Sequence, residues 1–417
     1  MKVLSLIVLA ALVAGIGVGA LIRSDAPNLT AFANNVEAFG GLWLNTLRMT
    51  VVPLVVSLLV TGIASVADTA RTGGLVLRAV ILFTFLIFCA AIYTTIATNL
   101  WLDIWPLDPA AAQAFIAGVG DDAVVVREAP SFGEWISSLA PTNPVRAAAD
   151  DGVLSLVVFS IFFGFATTQL EASLRQSIVT FFRAVSEAMI VVVRWVLLAA
   201  PLGVFALALG VGLRAGFGAA ETLVQYVVIV TGVTAGSTLL AWLIAVSWGR
   251  QPIARFTTAA APVWAIAAST QSSLASLPAM LDAALRGLRI PAHIADVTLP
   301  LAVALFRFTS PVANLAVCFF IAHLYGLEPS MLQIASAIFV AYAVSIAAVG
   351  LPGQVSFVAS IAPICLALGV PTEVLGILIA VEVIPDIFRT LGNVTGDLAA
   401  TSILAGKQPR EDDALQD

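Results

Sequence analysis

Apolar residues run along this chain in blocks long enough to cross a hydrocarbon core of about 30 Å. The blocks lie near 3–22, 41–66, 75–101, 152–170, 177–212, 220–248, 294–326 and 372–405. Each predicts a helix, because a helix satisfies every backbone donor and acceptor within its own segment. Two further blocks, 254–290 and 331–370, are apolar at both ends but broken in the middle. Ser269-Thr270-Gln271-Ser272-Ser273 interrupts the first and Gly350-Leu351-Pro352-Gly353-Gln354 the second. Irregular backbone at membrane depth survives only where protein buries it or where it lines a cavity. Each break therefore predicts a hairpin that enters the bilayer and returns, and paired broken segments point to a binding site of the kind secondary transporters build at a repeat interface. The block 3–22 follows Met1-Lys2 and imitates a signal peptide, but it is about as long as a full span and has no clean cleavage site, so it reads as a retained first helix.

Composition agrees with the pattern. Apolar residues make up 60% of the 417 and charged residues only 11%, far from the averages of soluble domains. The class is an all-α polytopic membrane protein with no separate soluble domain. Its net charge of −6 comes without any basic cluster, which excludes nucleic acid as a partner. Basic residues set the orientation. With the N-terminus in the cytoplasm, Lys2, Arg71, Arg78, Arg175, Arg183, Arg250, Arg255, Arg286, Arg289, Lys407 and Arg410 fall inside, outnumbering Arg23, Arg127, Arg146 and Arg214 outside. Both termini are then cytoplasmic, and the acidic loop 102–150 with its Pro141-Thr142-Asn143-Pro144 faces out. The tail from Gln408 reads as disordered. Cys89, Cys318 and Cys365 sit in apolar runs at unrelated spacings, which suggests packed or lipid-facing small hydrophobes rather than disulfides or a metal site.

The last block carries the charges that matter. A charge inside a spanning segment costs at least a few kcal/mol, roughly, unless it faces a partner, a ligand or water. Asp386, Arg389, Thr390, Asn393 and Asp397 fall at i, i+3, i+4, i+7 and i+11, so one face of this helix is polar while Ile387, Val394 and Leu398 point elsewhere. Asp386 and Arg389 are candidates for ligand binding, with a mutually neutralising structural pair as the bland alternative. Thr390 and Asn393 have interhelical hydrogen bonding as theirs, and the hairpin serines have a helix cap. His293 and His323 sit at predicted helix ends, where a surface role outweighs a proton relay.

Several short stretches, weak singly but specific in their order, resemble the dicarboxylate/amino acid:cation symporter family, the glutamate transporter homologues. They are Leu47-Arg48-Met49 with Val52-Pro53-Leu54-Val55 and Gly62, Pro141-Thr142-Asn143-Pro144, Ala200 to Leu207, Ser272-Ser273 with Ser276-Leu277-Pro278, and Thr298-Leu299-Pro300-Leu301. Cys318-Phe319-Phe320-Ile321-Ala322, Gly350-Leu351-Pro352-Gly353 and the run from Asp386 to Asp397 complete the set. The resemblance covers essentially the whole chain. It implies the glutamate-transporter-homologue fold, a homotrimer whose protomers each have eight transmembrane helices and two re-entrant helical hairpins. Residues 1–212 would be mainly trimerisation scaffold (spans 1, 2, 4 and 5), with span 3 at 75–101 belonging to the transport domain. Residues 213–406 would be mainly transport domain, and 407–417 a cytoplasmic tail. Carried over residue by residue, Arg389 would pair with a substrate side-chain carboxylate, Asp386 with an α-ammonium, Thr390 and Asn393 with the substrate's backbone, and Ser272 and Ser273 with its α-carboxylate. Ser310, Leu351 and Gly353 would complete the substrate site. Members specialised for dicarboxylates without an amino group tend to lose the aspartate, so Asp386 tilts the substrate toward acidic amino acids.

The departures concern coupling. Where the family carries Asn-Met-Asp-Gly-Thr in its seventh span, this chain has Phe306-Arg307-Phe308-Thr309-Ser310, and apolar Leu86 and Ile87 replace polar residues of the third span, with Tyr93, Thr94, Thr95 and Asn99 further along. A carboxylate is gone and a cation has arrived. Asp397 and Asn393 remain as a residual sodium site, one that should bind weakly without its carboxylate because sodium needs several oxygen ligands. Arg307 has three readings: a fixed substitute for the coupling cation, a substrate contact, or a structural pair with Glu382. Glu382 is the candidate carrier should the coupling ion be a proton. The sequence thus predicts an importer of an acidic amino acid or C4-dicarboxylate in the cell inner membrane, working by alternating access of an elevator type and coupled to sodium or protons, without cofactor and without chemistry on the substrate. A transport-deficient sensor of the same fold, or a proton-coupled carrier of another small carboxylate, is the alternative. No nucleophile, base or metal constellation that an enzyme would need is assembled, and the polar groups do not form the continuous path a channel needs.

Overall fold

The computed structural model describes residues 2–70, 74–119, 132–150, 152–216, 218–347 and 353–406. Among them there are helices and no strands. In chain order these are α1 (Lys2–Asp25), α2 (Thr30–Arg48), α3 (Val51–Ala70), α4 (Gly74–Ile104), α5 (Pro109–Val119), α6 (Phe132–Ser138), α7 (Pro144–Ala149), α8 (Val153–Thr168), α9 (Ala172–Leu198) and α10 (Ala200–Ala215). The second half holds α11 (Gly218–Ser247), α12 (Ile253–Thr270), α13 (Ser273–Asp282), α14 (Ala292–Leu305), α15 (Ser310–Leu324), α16 (Met331–Ala347), α17 (Gly353–Leu368), α18 (Leu375–Leu378) and α19 (Val383–Ala405).

Among the described residues, five stretches are long and apolar enough to cross a membrane: Leu6–Asp25, Thr30–Ser65, Gly74–Ile104, Gly218–Ser247 and Ala292–Leu324. The expected span 177–212 is instead a bent pair, α9 and α10 meeting at 59°. Pro201 explains the bend, since it removes one helical hydrogen bond and its ring crowds the preceding turn. The expected block 41–66 begins earlier, at Thr30, and is interrupted at Met49 and Thr50 between α2 and α3. The block 372–405 is a continuous helix only from Val383; the short α18 and a run of turns precede it. Between α6 and α8, Asn143 caps α7 by accepting from the N–H groups of Val145 (2.9 Å) and Arg146 (3.1 Å), with Pro144 at the first helical position.

The N-terminal half is built on close backbone approach. Helix α1 lies along α10, where Gly15, Gly19 and Gly212 leave no room for a Cβ against the facing backbone, the small-residue packing that membrane helices use in place of a hydrophobic drive. Gly203 of α10 receives the indole of Trp43, whose Nε1 donates to Val196 O at 2.8 Å. In the second half α15 is the hub. Every residue from Ser310 to Leu324 except His323 is buried, and the helix packs on α4, α11, α16, α17 and α19.

The two apolar blocks with broken middles become paired helices. Helix α12 ends where Gln271 takes a left-handed conformation (φ 53°), and α13 starts from an extended Ser272 and packs back on α12. Helices α16 and α17 pack together likewise. The Gly350-Leu351-Pro352 break between them, including candidate residue Leu351, lies outside the described residues, and Gly353 opens α17. The two pairs differ in what they touch. α12 and α13 pack chiefly on α14 and α19, whereas α16 and α17 lean on α3, α8 and α9.

Candidate functional site

Helix α19 brings the charges together as its periodicity requires. Arg389, only 3% exposed, directs Nη1 to Asp386 Oδ1 at 3.3 Å, one turn back, and Nη2 to Glu382 Oε1 two turns back. Glu382 is sealed from solvent, whereas the Asp386 side chain keeps 16% of its surface exposed. The second Glu382 oxygen accepts from the hydroxyl of Tyr226 on α11 at 3.0 Å. Tyr226 is fully buried and packs edge-on to Phe320 of α15, ring centres 5.3 Å apart. One guanidinium is thus held by two carboxylates, and the deeper carboxylate is held in turn by a phenol.

Facing this helix is the interruption between α14 and α15, which runs from Phe306 to Thr309 in the middle of an otherwise apolar span. Phe306 leaves helical geometry (φ −100°, ψ 75°), and Pro311 near the start of α15 cannot donate back into the break. Thr309 ties the break to α19. Its N–H donates to Asn393 Oδ1 at 2.9 Å, and its hydroxyl lies 2.5 Å from Arg389 O and 2.8 Å from Asn393 Oδ1. Gly392 and Gly396 make the approach feasible: a Cβ on Gly392 would collide with Thr309 Cγ2, and one on Gly396 would sit 3.0 Å from Phe308 Cβ. Arg307 is half-buried in the break and within electrostatic reach of Asp386 and Arg389. Phe306 stacks on Phe83 of α4 with centroids 4.6 Å apart, and Phe308 tilts against Phe306 at 5.7 Å. Aromatic rings, not oxygen ligands, therefore fill this side of the break.

Asp386, Arg389, Glu382 and Arg307 thus come together, with Asn393 and Ser310 at their edge; Ser310 is buried at the head of α15, its N–H on Arg307 O at 2.9 Å. Thr390 spends its hydroxyl on Asp386 O at 2.9 Å. Asn393 has its side-chain oxygen engaged by Thr309, so that oxygen is in use within the protein. Asp397 is buried and, among the described residues, neither of its carboxylate oxygens has a hydrogen-bond partner, an arrangement that calls for a proton, a water or a cation to satisfy them. Ser272 caps α13, its hydroxyl accepting from Ala275 N at 3.2 Å, and Ser273 is half-buried beside it. Both arms of this hairpin rest on α19, and Trp264 of α12 donates to Thr395 there at 2.9 Å.

Three contacts escape a reading of the sequence. Tyr226 lies in a long, largely apolar helix, and nothing local marks it as a partner of Glu382. Thr309 is one threonine among many. Cys318 and Cys365, at unrelated spacings, meet as buried free thiols with sulfurs 3.3 Å apart. His323 is also less superficial than expected: half-buried, it bonds Asn99 at 2.9 Å. A groove of about 550 Å³ at the root of the α12/α13 hairpin, lined by Arg255, Thr258, Pro262, Asp282 and Gly287, contains none of the clustered charges.

A helical membrane protein with charges clustered at a broken span is built as secondary transporters are. The chain belongs to the sodium:dicarboxylate symporter family, whose signature it matches over residues 4–407. It is 28% identical over 416 residues to a proton/glutamate-aspartate symporter of Escherichia coli K12, covering 95% of this chain and 91% of that one. It is 27% identical to a proton/sodium-glutamate symport protein of Bacillus caldotenax, covering 94% and 92%, and 27% identical to the human neutral amino acid transporter B(0), covering 97% and 80%.

Proposed function

We infer that this protein is a cation-coupled symporter that imports an acidic amino acid across the bacterial inner membrane, with Arg389 and Asp386 as the recognition pair. The observation that carries this reading is the convergence of Asp386, Arg389 and Arg307 at the break between α14 and α15. A planar guanidinium that stays charged when desolvated suits a side-chain carboxylate, and the partly exposed Asp386 suits an ammonium group. The relatives named for glutamate and aspartate favour this substrate class over a C4-dicarboxylate.

The coupling ion in this reading is the proton. Phe306 and Phe308 occupy places where the family's sodium ligands would be expected, Asn393 has its oxygen engaged by Thr309, and Asp397 alone offers too few oxygens for a hard cation. Arg307 supplies a fixed positive charge, and Glu382, sealed between Arg389 and Tyr226, is the group that exchanges a proton.

The wider architecture is taken as eight spans and two re-entrant hairpins in a homotrimer with both termini cytoplasmic. α1, α2, α3 and α8 to α10 serve as scaffold, while α4 and α11 to α19 move as the carrier. With α16 and α17 as the outer hairpin, their packing on the scaffold, together with Arg48 of the scaffold paired to Glu373 beside α18, corresponds to a carrier displaced toward the cytoplasm.

Uptake of radiolabelled L-aspartate into proteoliposomes, under an inward proton gradient, an inward sodium gradient or neither, tests the reading. Uptake driven by protons and abolished in Arg389→Ala is the expected outcome. Uptake that requires sodium would overturn the assignment of the coupling ion, and saturable transport absent under every gradient would favour a regulator of the same fold.

A further inference from the structure

We propose that Tyr226 is a positioning residue for substrate recognition: it holds Glu382 against Arg389, which makes Glu382 an internal competitor for the guanidinium that the substrate's carboxylate must reach. This inference rests on the acidic-amino-acid reading above and adds to it the residue that sets the competition.

The geometry is specific. Most hydroxyls along α11 return to their own helix, with Thr234, Ser237 and Thr238 bonded to carbonyls three or four residues back. The Tyr226 hydroxyl instead leaves α11 and donates to Glu382 Oε2 at 3.0 Å, across 156 residues of sequence. Glu382 therefore has one oxygen on a phenol and the other on Arg389 Nη2, while Arg389 Nη1 is on Asp386. Bidentate capture of a carboxylate needs two parallel N–H groups on one guanidinium. Both terminal nitrogens already face carboxylates, so end-on capture through Nη1 and Nη2 requires at least one of them to yield, and Nε, which has no partner among the described residues, is buried away from solvent.

Glu382 is the one to yield, because Asp386 must stay charged for the substrate's ammonium, and a proton on Glu382 keeps the cluster neutral. The groups around it are Tyr226 from α11, Arg389 and Asp386 from α19, Cys318 from α15 beside Tyr226, and Arg307 from the break, acting through Asp386 and Arg389. Arg307 and Arg389 against Glu382 and Asp386 sum to zero. An acidic amino acid carries two carboxylates and one ammonium and would leave the cluster at minus one. A proton from the outer solution that binds to a Glu382 oxygen restores the balance. It weakens the bond to Arg389, and the freed N–H passes to the substrate carboxylate. Inside, the substrate departs, the proton leaves Glu382, and Arg389 recaptures it. Tyr226 sets the balance point, because a donated hydrogen bond favours the ionised carboxylate.

The test is the dependence of KM for L-aspartate on external pH in proteoliposomes of the wild type, Tyr226→Phe and Glu382→Gln. In the wild type, KM should rise as the medium becomes alkaline. Glu382→Gln should abolish that rise and transport without moving protons. Tyr226→Phe removes one hydroxyl from a position otherwise held by packing, and should displace the rise upward by about one pH unit, roughly a tenfold lower KM at the alkaline end, in KM rather than kcat. A Tyr226→Phe protein that is folded by thermal melt but keeps the wild-type profile overturns the inference while leaving the substrate reading intact. Wild-type protein that takes up no acidic amino acid overturns both. Should Glu382→Gln fail to fold, Tyr226→Phe decides alone.

Discussion

At the scale of single residues, Arg307, which the sequence comparison sets where the family carries a carboxylate-bearing motif, has the plainest consequence in the proposed reading. Its positive charge is attached covalently, whereas a bound sodium ion arrives and leaves. Replacing it by methionine removes that charge and leaves a flexible apolar side chain in the break. Arg307→Met should therefore lose more uptake in sodium-free than in sodium-containing medium, a comparison made on one batch of liposomes; equal loss in both would speak against the substitution of charge for ion. Gly392 carries a second prediction. A methyl group there meets Thr309 Cγ2 and Thr238 Oγ1, and overpacking of this sort costs about 1–3 kcal/mol. Gly392→Ala should lower the melting temperature in detergent and loosen the seat of Thr309 on Asn393. Much of this site was legible beforehand: a charge in an apolar block has to face something, and helical spacing alone put Asp386, Arg389, Asn393 and Asp397 on one face. The partners of those charges were not legible, because Tyr226 and Glu382 meet through the packing of α11 on α19, which no local pattern encodes. The Arg307 and Glu382 pairing weighed from the sequence meets a structure in which Glu382 is engaged by Arg389 and Tyr226.

Among the elements, the breaks are as informative as the helices. The sequence pointed to Gln271 and Ser272 because polar residues in the middle of an apolar block have few uses, and to a bend near Pro201 only in retrospect, since proline also occurs without much bending at helix starts such as α7 and α15. Apolar length alone did not reveal that α18 separates from α19, because the intervening residues 379–382 are mostly as apolar as the helices on either side. The link from Arg48, at the end of α2, to Glu373 and to Thr372 Oγ1 at 2.6 Å joins segments more than three hundred residues apart. Both side chains keep part of their surface exposed, 31% and 25%, so the pair is worth only about 0.2–1 kcal/mol. Its worth lies in which arrangement it favours. Arg48→Gln and Glu373→Gln should each change the uptake rate by a similar modest factor, and the double variant should change it no further. Additive effects in that double-mutant cycle would mean the two residues act separately.

Over the whole molecule, the exposed face is apolar, with Leu6, Phe32, Phe39, Ile81, Phe162, Phe181 and Trp195 among the large side chains left uncovered. Lipid covers some of this, and in the trimeric reading neighbouring protomers cover the rest. The detergent-solubilised protein should then sediment at three times the protomer mass; a monomer that transports at full rate would remove the trimer from the account. The cancelling charges at the break have a further consequence, one of voltage. A charge that crosses the membrane exchanges about 2.3 kcal/mol with each 100 mV of potential, but in the moving-carrier reading proposed above Arg307, Arg389, Glu382 and Asp386 would travel together and sum to nothing. Within the polar face of α19 the field is left with Asp397 alone to act upon. A return step that ignores membrane potential would then report a neutral or cation-filled Asp397, and one that the potential speeds or slows would report a bare carboxylate carried across.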